Sequence, residues 1–209
     1  MADTKISALT AVTTLVNADE FAVNQSATSK KVTGTVLRDY LGNSFYKVSV
    51  AAQSPAAGAT TYLTNSSIAI PALKLRAGST FRWDCDLSKT GAGVAARSIL
   101  IKVGTAGTTA DTTIATLTQG AGTGVSDAGY MRILFTVRTI GAAATSRASV
   151  FGTHNLSTTG LFPNETDYIQ AAGTTFDSTV ANLIVGLAVT AGTSEALTFD
   201  QIICTALNV

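Results

Sequence analysis

His154 is the only histidine in this 209-residue chain, and any Ser–His–Asp relay would have to pass through it. Ser157, Asn155 and Asp167 supply suitable residue types nearby, but no nucleophile-elbow pattern surrounds Ser157. A lone histidine at a strand end is more often a structural hydrogen bonder. Asp84 and Asp86 are two apart on a predicted strand and so share a face, as a glycoside-cleaving carboxylate pair would. With Arg82 they equally make an ordinary polar face of cross-strand ion pairs. Zinc needs three or four nitrogen or sulfur ligands, more than one histidine and the separated Cys85 and Cys204 provide. Glu165 and Asp167 are weak candidates for calcium. The glycine runs at 104–107 and 120–124 lack the lysine and following helix that phosphate binding uses. The expectation is a chain that is no enzyme and carries no cofactor or resident metal.

Tyr46, Tyr62, Tyr130, Phe162 and Tyr168 could be exposed rings that stack on sugars. They could equally belong to a core or subunit interface, because tyrosine suits places where one end is buried and the other wet. Sequence does not separate these readings.

The elements that must position these residues are strands. From 79 to 87, Phe81, Trp83, Cys85 and Leu87 alternate with Arg82, Asp84 and Asp86, which is the period of a half-buried strand. Further strands are predicted over 97–103, 130–140, 146–153, 182–190 and 197–205, with weaker ones over 60–64, 67–70 and 112–117. In the last strong strand the apolar phase Leu197, Phe199 slips to Ile202, Cys204, which predicts a β-bulge near Asp200-Gln201. Eight or nine strands with almost no helix between them predict an antiparallel sandwich. Both cysteines fall in apolar phase and are expected to be buried free thiols, although a bridge stays open if their strands are neighbours.

Charged residues make up 13% of the chain and mean hydropathy is +0.32. So little charge leaves a large uncharged surface, which favours association with copies of itself. Net charge is +1 and the 14 Lys and Arg are scattered, which argues against nucleic acid as a partner. No apolar run is long enough to span a membrane and no signal-peptide core follows Met1, so assembly in a cytoplasm is expected.

The first forty-odd residues differ from the rest. Ile6 and Leu9 open a segment with a predicted strand from Asp19 through Phe21 to Val23 and a basic Lys30-Lys31-Val32 turn. A helix follows, with Thr33 as N-cap, Val36, Leu37, Tyr40 and Leu41 on one face, and Gly42 as its stop. Residues 43–46 read as a hinge. The segment has too few large apolar residues for a core of its own, so Ile6, Leu9, Phe21, Val23, Val36, Leu37, Tyr40 and Leu41 form a candidate attachment interface. The expected domains are 1–46, attachment and hinge, and 47–209, the sandwich.

This N-terminal pattern resembles the attachment segment of bacteriophage tail-fibre, tailspike and head-fibre proteins, with Thr10 and Ala22 standing where that family often has proline. The later stretches 77–83, 101–111, 138–141, 154–156 and 179–183 resemble a phage jelly-roll module, so the fold class expected is an antiparallel jelly-roll β-sandwich behind a strand–turn–helix segment. The resemblance implies a virion structural protein, a tail or head fibre or decoration, that docks through its N-terminus and displays a homotrimeric jelly roll. Its partners would be other virion proteins and, for host adsorption, a host-surface glycan. The alternative is a carbohydrate-binding or glycan-trimming domain acting on host-surface polysaccharide.

Overall fold

The computed structural model describes residues 20–25, 28–33, 44–71, 74–90, 95–156, 159–163, 166–193 and 196–209. The chain divides into two compact units, Met1–Asn43 and Ser44–Val209. The described part of the first unit is an antiparallel hairpin of β1 (Glu20–Gln25) and β2 (Thr28–Thr33). β1 matches the predicted strand. The predicted basic turn does not: Gln25 pairs with Thr28, so the reversal precedes the lysines, and Lys30 and Lys31 lie within β2 opposite Val23 and Ala22. A two-stranded sheet has only edge strands, where lysine is well suited.

The second unit begins at β3 (Ser44–Ser49), whose pairing with β13 (Leu197–Leu207) puts Tyr46 opposite Thr205. The hinge expected over residues 43–46 is therefore mostly strand, and the unit boundary falls after Asn43. Between these strands come β4 (Thr60–Tyr62), β5 (Ile68–Ile70), β6 (Thr80–Lys89), β7 (Ser98–Gly104), β8 (Thr112–Thr118), β9 (Asp127–Val137), β10 (Ser146–His154), β11 (Thr166–Ala172) and β12 (Leu183–Thr190). One sheet runs β11-β10-β9-β6-β13-β3, and the other β4-β12-β7-β8 with β5 also on β12. β4 and β5 both lie on β12 and act as one interrupted strand. Ser66 fills the gap, its backbone carbonyl accepting Trp83 Nε1–H at 2.6 Å.

With β4 and β5 counted together, and the β10–β11 hairpin set aside, eight strands remain. Their spatial orders are first-eighth-third-sixth and second-seventh-fourth-fifth, the double Greek key of a jelly roll. The hairpin is an insertion that widens the first sheet. The expected antiparallel jelly-roll sandwich is thus the fold, with eleven strands rather than eight or nine.

The alternating residues supply the core. Phe81, Trp83, Cys85 and Leu87 of β6, Met131, Ile133, Phe135 and Val137 of β9, and Ile99, Ile101 and Val103 of β7 are all buried. Ring centroids of Phe81 and Trp83 are 6.3 Å apart. The bulge lies where expected: register shifts between Phe199 and Gln201, keeping Phe199 and Ile202 both inward while Asp200 is exposed. Cys85 lies opposite Ile202 and Cys204 opposite Trp83, so the two cysteines sit on adjacent strands but out of register, and both are free and buried. Burial pushes the Cys204 thiol up to about 12 and the Cys85 thiol up as well. β9 ends at Val137, short of Ile140, because Arg138 N–H turns to the Thr145 carbonyl at 2.8 Å and Gly141 takes φ 119°.

Candidate functional site

Of the predicted attachment residues, Ile6, Leu9, Val36, Leu37, Tyr40 and Leu41 lie outside the described residues, as do Ser157 and Glu165. Phe21 and Val23 are in β1, opposite Val32 and Lys30.

The sandwich has two outer faces of different chemistry. On the five-stranded sheet, Thr60, Thr190, Ser98 and Thr118 form one cross-strand row. Thr60 and Thr190 hydroxyls are 2.7 Å apart, and those of Ser98 and Thr118 2.9 Å. The next row holds Leu100 and exposed Thr116. Lys102, in the same outward phase, is buried and donates its Nζ to the carbonyls of Thr109 at 3.0 Å and Asp111 at 2.8 Å. Tyr62 and Ala188 complete the Leu100 row and Ile184 shares its phase, so among the described strand residues this face presents short hydroxyl and partly exposed apolar side chains and no free charge.

On the six-stranded sheet, cross-strand pairing lines up Tyr168, Phe151, Arg132, Asp84 and Ile203 in one row. Gln170, Ser149, Leu134, Arg82, Thr205 and Tyr46 make the next. Asp84 is almost buried. Arg82 Nε lies 2.6 Å from its Oδ2, Arg132 Nε donates to its Oδ1 at 2.8 Å, and the Tyr130 hydroxyl also donates to Oδ1. Burial works against the charged carboxylate, but these hydrogen bonds and the two arginines outweigh it and hold Asp84 below the usual aspartate range. A glycosidase acid needs the opposite shift. Asp84 and Asp86 do share a face, yet Asp84 is committed as a structural anion.

At one end of the sandwich the loops enclose a second polar cluster. His154 Nδ1 is 2.5 Å from Asp127 Oδ2, with both side chains fully buried. Asp127 also accepts the N–H groups of Leu161 at 2.9 Å and Ala128 at 2.8 Å. Phe162 sits edge-on to His154 at 5.3 Å, with the Arg97 guanidinium 5.1 Å from its ring centroid. Phe162 was a candidate exposed ring; it is fully buried. Gly152 makes the room, since a Cβ there would lie 2.5 Å from the ring. His154 thus behaves as a structural hydrogen bonder. Asp167, the third member of the suggested relay and a candidate calcium ligand, has its carboxyl raised by burial, although Gly120 N–H and Arg97 pull it down. Among the described residues no group of three or more His, Cys, Asp or Glu could hold a metal ion, and no helix is long and apolar enough to cross a membrane.

The other proposed rings divide. Tyr46 and Tyr168 are 62% and 59% exposed, whereas Tyr62 and Tyr130 are half-buried. Burial raises the Tyr62 phenol to about 12. Phe151, exposed beside Tyr168 and opposite it in register, is the ring sequence reasoning missed. Its signal was present: it falls in phase with Arg147 and Ser149, not with Ala148 and Val150. An open depression of about 400 Å³ lies beyond Tyr130, bordered by Asp86, Thr153, Asn155 and Asp200.

No family model matches the chain, and no curated protein does. A solved structure described as a protein of unknown function from Shewanella oneidensis MR-1 is similar over 84% of this chain and 95% of that one. Its identity is 10% and the TM-score is 0.37.

Proposed function

We propose that this chain is a bacteriophage virion structural protein, a tail or head fibre or decoration appendage. Residues 1–43 dock on the particle and the jelly roll is displayed as a homotrimer. The observation that carries this reading is the uncharged outer face of the five-stranded sheet, with its mixed hydroxyl and partly exposed apolar side chains. Packing such a face against a copy strips no ion of its water, and short threonine and serine side chains lose little rotamer freedom. The separate N-terminal unit and the resemblance of its sequence to phage attachment segments support the docking role. Among the described residues, Asp84 and His154 are engaged in structural pairs, which supports a binding role over a catalytic one.

Light scattering of the purified chain should report three copies, and a monomer at micromolar concentration would overturn the trimer. Thr116→Lys places a charge on the proposed contact face at an exposed position. It should dissociate the trimer while leaving the β-sheet circular dichroism unchanged. Electron microscopy of intact particles carrying a tagged chain tests the virion assignment itself.

A further inference from the structure

We propose that the outer face of the six-stranded sheet binds an anionic polysaccharide, with Arg82 and Arg132 taking its acidic groups and Phe151 and Tyr168 lying against its rings. Both guanidinium groups meet the Asp84 carboxylate on their Nε side and keep much of their surface in solvent, 44% for Arg82 and 46% for Arg132. One nearly buried carboxylate thus positions two arginines. Arg132 is further held over the Tyr130 ring, 5.7 Å from its centroid. An arginine fork fixed in advance is suited to a carboxylate or a sulfate, because little side-chain freedom is lost on binding.

The charge on this face is unbalanced. The row of Arg132, the row of Arg82 and the row of Arg147 carry three arginines against Asp84, with exposed Asp86 one row further along, and Arg147 donates to the neutral amide of Gln170 at 2.5 Å. Next to them lie the exposed Phe151 and Tyr168 and the hydroxyl or amide groups of Thr136, Ser149 and Gln170. Rings for the apolar faces of sugars, neutral donors for their hydroxyls and guanidinium groups for their acids are the three components such a ligand needs. The depression between Leu134, Arg147 and Tyr168 is about 240 Å³. That is below the range of about 300–1,000 Å³ of enclosed small-molecule pockets, as expected for an extended chain lying across a surface.

Other occupants fit less well. Nucleic acid repeats a phosphate at every nucleotide and calls for a longer basic track than three arginines in a chain of net charge +1. A second copy packed here would have to desolvate three guanidinium groups, two of them already sharing the single Asp84 carboxylate. The ligand's source, a host surface, rests on the virion reading above; the binding chemistry does not.

The test is titration calorimetry of the full chain with oligogalacturonate, dextran sulfate, neutral dextran and oligo(dT), each at low and high salt. Oligogalacturonate or dextran sulfate should bind, more weakly at high salt, and which of them binds tells carboxylate from sulfate recognition. Arg147→Gln should weaken binding by about tenfold without shifting the melting temperature, since its side chain is exposed, and Arg82→Gln should weaken binding by a similar factor while lowering the melting temperature, since Asp84 loses one of its partners. Tyr168→Ala should weaken it through the lost ring. Binding neither polyanion, binding dextran equally well, preferring oligo(dT), or retaining full affinity in both arginine variants would each overturn the proposal. Light scattering of the same samples separates the two readings: a trimer that fails to bind sinks this inference alone, and a monomer that binds sinks the trimer alone.

Discussion

Asp127 sets part of the acid limit of this fold. Burial opposes its charge, but the N–H of Leu161, the His154 ring and the N–H of Ala128 outweigh burial and hold its carboxyl below the ordinary value of 3.8. A carboxyl depressed in the folded state contributes stability that is fully present above the unfolded value and is lost as pH falls through the folded one. The Asp127 contribution to the urea midpoint should therefore be constant well above 3.8 and be lost as pH falls below it. Asp127→Asn should lower the midpoint at neutral pH, by about 1–3 kcal/mol of stability, because His154 stays buried with a weaker partner. The same variant should show a shallower acid decline. An acid limb identical to that of the parent would show that Asp127 is not one of the groups responsible. Asp84 is depressed too, so some acid sensitivity must persist in the variant.

Among the elements, β13 carries the sharpest test of how pattern becomes packing. Its inward set is Leu197 and Phe199 on one side of the bulge and Ile202, Cys204 and Ala206 on the other. Deleting Asp200 restores an uninterrupted ladder and forces one of these sets to the outer face. Exposing a large apolar side chain loses about 1.5–3 kcal/mol, so the deletion should cost several kcal/mol or abolish folding. Asp200→Ala keeps the extra residue and should change stability by less than about 0.5 kcal/mol, as at other exposed positions. Equal thermal unfolding of the deletion and the parent would mean that the bulge is dispensable.

For the molecule as a whole, the two units predict separable roles. Ser44–Val209 contains both sheets and the entire described apolar cluster. Removing residues 1–43 should leave a domain that melts cooperatively within a few degrees of the full chain but no longer joins the particle. The measurement is calorimetric unfolding beside incorporation into appendage-free particles. Collapse of the sandwich on truncation, or normal incorporation of the truncated chain, would place the attachment role elsewhere.

The sequence by itself determined which side of each strong strand faces the core, because side chains alternate with a period of two and burial selects one phase. Phe81 to Leu87, Met131 to Val137 and the slip at Asp200 could be read that way. It also determined the all-β class, since long runs of β-branched residues and glycine turns leave almost no helical pattern. What it could not show was partnership between distant residues. β3 and β11 have weak patterns of their own and become strands because β13 and β10 offer them ladder hydrogen bonds. Phe162 looked like a loop aromatic until Gly152 and His154 made a place for it. Asp84 looked like one of two equal carboxylates on β6, and only the neighbouring β9, bringing Tyr130 and Arg132, made it a buried anchor while leaving Asp86 exposed. Period and phase are local properties of a chain; the desolvation and charge that decide what a side chain does depend on strands that tertiary pairing alone brings together.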